Sequence, residues 1–131
     1  MQQLLDKRGQ TMIEFAIIIP FFVIMLYGFA YISMFFHDYI TLTELARDIA
    51  RRESVGIAYD QTKYNNTALL TDVYKFNPTK DQGVKIDFET DATVGKQIIV
   101  TLTAQLNMEN VFWKSILPAS ISASLTMRKE E

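Results

Sequence analysis

The 131-residue chain contains no cysteine and a single histidine, His37. The first absence removes disulfides, thiolate metal sites and a thiol nucleophile; the second removes any site that needs two imidazoles. It does not fix the compartment, because an exported domain can fold without disulfides when a helix or partner completes its core. Charge of one sign is also lacking: the net charge is −2, and no run of Lys or Arg forms a stripe that would track phosphates. Nucleic acid is therefore not an expected partner. No Ser-His-acid set, phosphate loop or carboxylate pair in a cleft can be assembled from the remaining residues. The chain reads as a non-enzyme, with no catalytic residue, metal, cofactor or small-molecule substrate expected.

What is present is a long apolar run. Residues 15–36 read FAIIIPFFVIMLYGFAYISMFF, without Asp, Glu, Lys or Arg. As a helix this stretch extends roughly 33 Å, against about 30 Å of bilayer hydrocarbon. A soluble core helix apolar on every side, with Phe21, Phe22, Phe29, Phe35 and Phe36 around it, needs more surrounding protein than 131 residues supply. A secretory signal is excluded by length and by its end, since Met34-Phe35-Phe36-His37-Asp38 is not a signal-peptidase site. The run predicts a single transmembrane helix. Lys7, Arg8 and the amino terminus sit close to its start, whereas Arg47, Arg51 and Arg52 are interleaved with Glu44, Asp48 and Glu53. The expected orientation is N-terminus cytoplasmic and C-terminal domain exported from the cytoplasmic membrane.

At the boundary stands Lys7-Arg8-Gly9-Gln10-Thr11-Met12-Ile13-Glu14-Phe15: a basic end, a glycine, four uncharged residues, then one acid entering the apolar helix. A glycine admits extended backbone to a peptidase cleft and interrupts a helix. Glu14 has a desolvation cost to meet. One reading makes it a headgroup-level acid favoured by the helix dipole. The other makes it one half of a charge pair.

This junction resembles a type IV prepilin processing site. The resemblance implies cleavage after Gly9 by a membrane prepilin peptidase and an acid at the fifth mature position, here Glu14. It also implies an axial-register role for Glu14 toward the ammonium of a neighbouring subunit. The wider window, Gly9 through Glu14-Phe15-Ala16 to Pro20, looks more specifically like the TadE family, minor pilin-like proteins of tight-adherence pilus systems. Pro20 removes an N–H and frees the Ala16 carbonyl, so a kink is expected there. The ending Ser120-Ile121-Ser122-Ala123-Ser124-Leu125-Thr126-Met127-Arg128 also resembles that family. The partners implied are the membrane, a prepilin peptidase, other pilin-like subunits and the Tad pilus assembly machinery, with incorporation into a pilus or a priming role.

Beyond the membrane run, Leu42, Leu45, Ala46, Ile49 and Ala50 recur at helical spacing, with Gly56 as a stop. The helix is predicted to end near Ser54. A short helix is expected between Asn66 and Asn77-Pro78, on the strength of Leu69, Leu70 and Val73. Three strands follow from alternation: Val84, Ile86, Phe88; then Ile98, Val100, Leu102, Ala104, Leu106; then Ile121, Ala123, Leu125, Met127. Val111 to Leu117 is either a short helix or a covering loop, with Trp113 expected to pack structurally.

The predicted class is α+β: a long N-terminal helix, transmembrane then amphipathic, packed on a small antiparallel sheet of about three strands. The organisation reads as a leader at 1–9, a helix at 10–54 with its transmembrane part at 15–36, and a small exported domain at 55–131. Asp87, Glu89 and Asp91 read as a solvated strand edge rather than a calcium site, and Asn65-Asn66-Thr67 carries little weight as a glycosylation triplet. Two other functions compete: a pseudopilin of a related secretion or uptake filament, and a signal-anchored exported binding domain in which Glu14 is incidental.

Overall fold

The computed structural model describes residues 2–65, 70–91, 95–108 and 111–129, and within them the side chains other than those of 2–8, Asp91 and 111–113. The chain divides into two compact units, residues 1–33 and 34–131. The fold is α+β, one long N-terminal helix and an antiparallel four-stranded sheet.

The first unit is the N-terminal part of helix α1 (Gln2–Ser54). The expectation that Gly9 interrupts the helix is corrected: α1 runs through it. Glycine costs a helix interior only about 1 kcal/mol relative to alanine, and the helix formers Leu4, Leu5, Lys7 and Arg8 before it offset that. The helix assignment is likewise unbroken at Pro20.

The second unit begins with the remainder of α1, which buries Leu42, Ala46, Ile49 and Ala50 completely. Their spacing of three and four residues draws one stripe along the helix, and the two alanines keep it narrow. Arg51 and Arg52 lie in the last turn, where cations complement the helix dipole. Termination is encoded by Gly56, which holds φ at 81°. Its N–H donates to the Glu53 carbonyl (3.1 Å) and that of Ile57 to the Arg52 carbonyl (2.9 Å), the paired bonds of a Schellman cap.

The sheet is built around β3 (Gly95–Leu106), whose alternating burial puts Ile98, Val100, Leu102 and Ala104 in the core. Antiparallel β4 (Ser120–Arg128) pairs with β3 from Gln97 to Gln105, and β2 (Val84–Asp91) pairs with it from Gly95 to Leu102. A short strand, β1 (Tyr74–Phe76), takes Ala104 to Leu106. Leu102 pairs with both Val84 and Ala123, and Ala104 with both Phe76 and Ile121. β1 and β2 therefore lie end to end along one side of β3, with β4 along the other.

β1 corrects the expected helix before Asn77: residues 74–76 are strand, and Asn66 to Leu69 lie outside the described residues. The Leu70 and Val73 spacing suits a helix, but β3 extends four residues past Val84's partner and offers an unfilled ladder there, which residues 74–76 fill. Val111–Ile116 is a one-turn helix, α2, and the side chain of Trp113 lies outside the described residues.

Candidate assembly site on the N-terminal helix

The predicted processing and register residues lie within two turns of α1, Gln10 and Glu14 on one face of it. Gly9, Gln10 and Glu14 are exposed, and the Gln10 amide Nε2 donates to Glu14 Oε1 at 3.4 Å, one helical turn apart. This contact is long and weak, which leaves the carboxylate acceptor capacity for another group. Around it the helix is apolar on all sides and uncovered: Met12, Ile13, Phe15 and Ile17 are each at least 60 % exposed. From Gly9 onward α1 is long and apolar enough to cross a membrane. Exposure of this kind on a soluble surface would be an association liability; inside hydrocarbon or among like helices it is the favourable state.

Gly9 has no structural need to be glycine. Its backbone is helical, and an added Cβ would meet nothing within 4 Å. Alanine would fit and favour the helix by about 1 kcal/mol. Pro20 leaves the Ala16 carbonyl without its usual donor four residues on.

Two polar clusters in the second unit were not singled out by sequence. Asp38 is completely buried, with Oδ1 accepting from the Thr71 N–H (2.7 Å) and Oδ2 from the Thr71 hydroxyl (2.6 Å). His37 Nδ1 lies 3.5 Å from the same carboxylate, its ring 59 % exposed. The signal was an acid two residues after the apolar run, but its partner stands 33 residues further on. Nearby, Tyr74 donates its hydroxyl to the Pro118 carbonyl (2.9 Å), and burial pushes its pKa upward.

At the end of α1, Asp48 Oδ2 accepts from Arg52 Nε (2.9 Å) and from the Tyr64 hydroxyl (2.7 Å), while Tyr64 stacks on Tyr59 at 5.5 Å. Tyr64, the last residue of the following 3-10 turn (Gln61–Tyr64), completes the i,i+4 pair of Asp48 and Arg52, and Tyr59 stands just before that turn. The Tyr64 hydrogen bond, with help from Arg52, holds Asp48 below the usual carboxylate range. Burial, and then that same bond, push Tyr64 up to about 12. A folded pKa above the unfolded value of about 10 means that this contribution to stability is complete below pH 10 and lost as pH rises toward 12. Tyr64→Phe should flatten the decline of stability over that window. Denaturant midpoints of the detergent-solubilised protein at stepped alkaline pH check this, and parallel declines in the two proteins would count against it.

Asp87 and Glu89 occupy alternate positions on one face of β2 and are exposed. Among the described residues, no three His, Asp or Glu side chains converge in a way that could hold a metal ion.

Residues 9–51 match the family model described as TadE-like protein. The match begins at Gly9 and ends within α1, so it covers the helix and its junction rather than the sheet. No curated protein and no solved structure matches the chain.

Proposed function

We propose that the chain is a minor pilin-like subunit of a tight-adherence pilus system, trimmed after Gly9 and assembled through its N-terminal helix. The observation that carries this reading is the junction itself: a glycine the fold does not need, five residues before an exposed acid on an uncovered apolar helix. The family match starting at that glycine supports it.

In this reading the helix spans the cytoplasmic membrane once, with the leader inside and the sheet domain exported. Cleavage creates the Gln10 ammonium. A parallel neighbour displaced by about four residues of helix rise, roughly 6 Å, brings that ammonium level with Glu14, where low dielectric strengthens the pairing. Pro20 loosens the ladder around Ala16 and gives the helix a kink by which it adapts to its neighbours.

Glu14→Ala should be cleaved normally and fail to assemble, whereas Glu14→Gln keeps the shape and loses the charge. Intact mass reports cleavage, and sheared surface material or protease-protected complexes report assembly. Unimpaired assembly by Glu14→Ala would refute the register role. The same spectra separate a free, methylated or cyclised Gln10; a wholly cyclised terminus has no ammonium and would also refute it.

A further inference from the structure

The two outer strands of the sheet differ in the protection of their open edges. β2 carries Lys85, Asp87 and Glu89, while β4 has no charged residue from Ser120 to Met127. Edge charges are the usual guard against strand addition, and β4 lacks them.

Hydrogen-bond parity tells which backbone groups face outward. The Thr103 N–H donates to the Gly83 carbonyl, so odd-numbered residues of β2 bond to β3, and the N–H and C=O of Ile86, Phe88 and Thr90 point away from the sheet. On the other side, Lys129 donates to Lys96 and Leu106 to Ala119, which leaves the groups of Ser122, Ser124, Thr126 and Arg128 pointing outward from β4. Among the described residues, no backbone group outside the sheet bonds to these positions.

The rows that cross the sheet carry complementary ends. Glu89, Gln97 and Arg128 form one row on the outer face. Phe88, Ile98 and Met127 form the next, on the face that carries the core, and Ile86, Val100 and Leu125 another. Ile98 and Val100 are fully buried, yet Phe88 at one end is 65 % exposed, and Met127 and Leu125 at the other are only half-buried. Each row stops at both edges with its apolar or charged character unmatched.

We infer that the β4 edge of one copy pairs in parallel with the β2 edge of a second copy of this chain, so that the sheet continues from protomer to protomer. β2 and β4 both run antiparallel to β3 and hence in the same direction. A neighbour displaced along the rows therefore brings its β2 to β4 as a parallel strand. That displacement keeps the helices of all copies pointing the same way, as insertion in one membrane demands.

The parity fits this register. The neighbour's outward-bonding Phe88 lies opposite inward-bonding Met127, where its backbone groups reach those of Thr126 and Arg128. Its ring covers Met127, its Ile86 meets Leu125, and its Glu89 stands beside Arg128. A symmetric β4-to-β4 contact is antiparallel, would place Met127 beside like residues rather than beside Phe88, and closes on two copies. The heterologous contact does not close on two copies, and strand twist turns it into a winding series, the behaviour of a filament element.

This inference rests on the proposed co-directed assembly, and its test separates the two. The chain has no cysteine, so introduced pairs report alone. Parallel neighbours about 4.8 Å apart lie within disulfide reach. Phe88→Cys and Met127→Cys, placed in separate full-length chains and co-produced, should give a mixed cross-linked dimer on mild oxidation in membranes. Neither variant alone should give one. Both substitutions in one chain should give a ladder beyond dimers. Glu89→Cys with Arg128→Cys, both exposed, repeats the experiment where core packing is untouched.

Glu89→Arg on the Phe88/Met127 cysteine background should lower the cross-link yield about three- to tenfold, and adding Arg128→Glu should restore it. Met127→Cys homodimers, or no mixed product from either pair, overturn the inference. Leader removal is scored by mass in the same samples. Cleaved protein without cross-links refutes the edge pairing and leaves the processing intact, and cross-linked but uncleaved protein does the reverse.

Discussion

Replacing Asp38 with alanine should destabilise the second unit by about 3 kcal/mol, because it strips the two Thr71 donors of their buried, charged acceptor. The Thr71 N–H and hydroxyl both end on this fully buried carboxylate, at 2.7 and 2.6 Å. Removing the carboxylate leaves both donors of the half-buried Thr71 without this protein acceptor. Asp38→Asn keeps one acceptor oxygen and can turn its amide toward the hydroxyl oxygen, so a smaller loss of about 1 to 2 kcal/mol is expected. For a domain of this size the alanine change corresponds to a fall in Tm of roughly 10 to 20 °C. Differential scanning of the detergent-solubilised full chain gives the shift, and amide exchange at Thr71 gives its location. A loss below about 1 kcal/mol, or an unchanged Thr71 amide, would mean that another group takes over the acceptor role.

Asp38 also shows where sequence reading stops. The apolar run, the helix end near Ser54 and three strands were legible because each is written in local periodicity: all-round apolarity, a stripe at three and four, or alternation by two. Gly56 was legible as a stop because a positive φ is a property of one residue. Asp38 was not, since its meaning depends on Thr71 arriving from a distant segment. The same holds for β1, whose three residues become a strand only because β3 continues beyond its pairing with Val84. The extension of α1 through Gly9 is the opposite case: a local helix-breaking signal was overruled by its helix-forming neighbours.

That contrast bears on how the candidate site works. In the proposed function Gly9 and Glu14 serve external groups, and such chemistry is written in consecutive residues for a peptidase or a neighbouring terminus to meet, which is why sequence alone could single them out. The exposed ends of the sheet rows are of another kind. Phe88, Met127, Glu89 and Arg128 are far apart in sequence and fall into two rows only through the registers of β2 and β4 on β3. Alternation alone placed Phe88 on the core face; that its ring is left uncovered there required the register and the burial of Ile98 beside it.

Those registers depend on where β2 begins, and Gly83→Ala should disturb that point more than any other single methyl group in the sheet domain. Gly83 is buried between β1 and β3, accepting from the Thr103 N–H at 2.8 Å and donating to the Thr79 carbonyl at 3.2 Å. An added Cβ would collide with the Asn77 carbonyl oxygen and sit 3.0 Å from its carbon and 3.2 Å from the Thr103 carbonyl oxygen. All three are backbone atoms, so no flexible side chain can move aside. Asn77 is itself fastened, its Oδ1 accepting from the Thr79 N–H at 3.1 Å and hydroxyl at 2.7 Å.

Relief therefore requires shifting the 77–83 turn or lifting β2 from β3, at an expected cost of about 3 kcal/mol or more. Gly95→Ala is the informative contrast. There φ is 86° and the nearest atom is the Arg128 Nη2 at 3.8 Å, so only the dihedral is at stake, and a loss of about 1 to 2 kcal/mol is expected. Melting the wild type and both variants in the same detergent should rank them in that order, with Gly83→Ala lower by roughly 10 °C or more. Equal losses at the two glycines would show that the turn yields to the methyl group, and that something other than this close approach sets the first residue of β2.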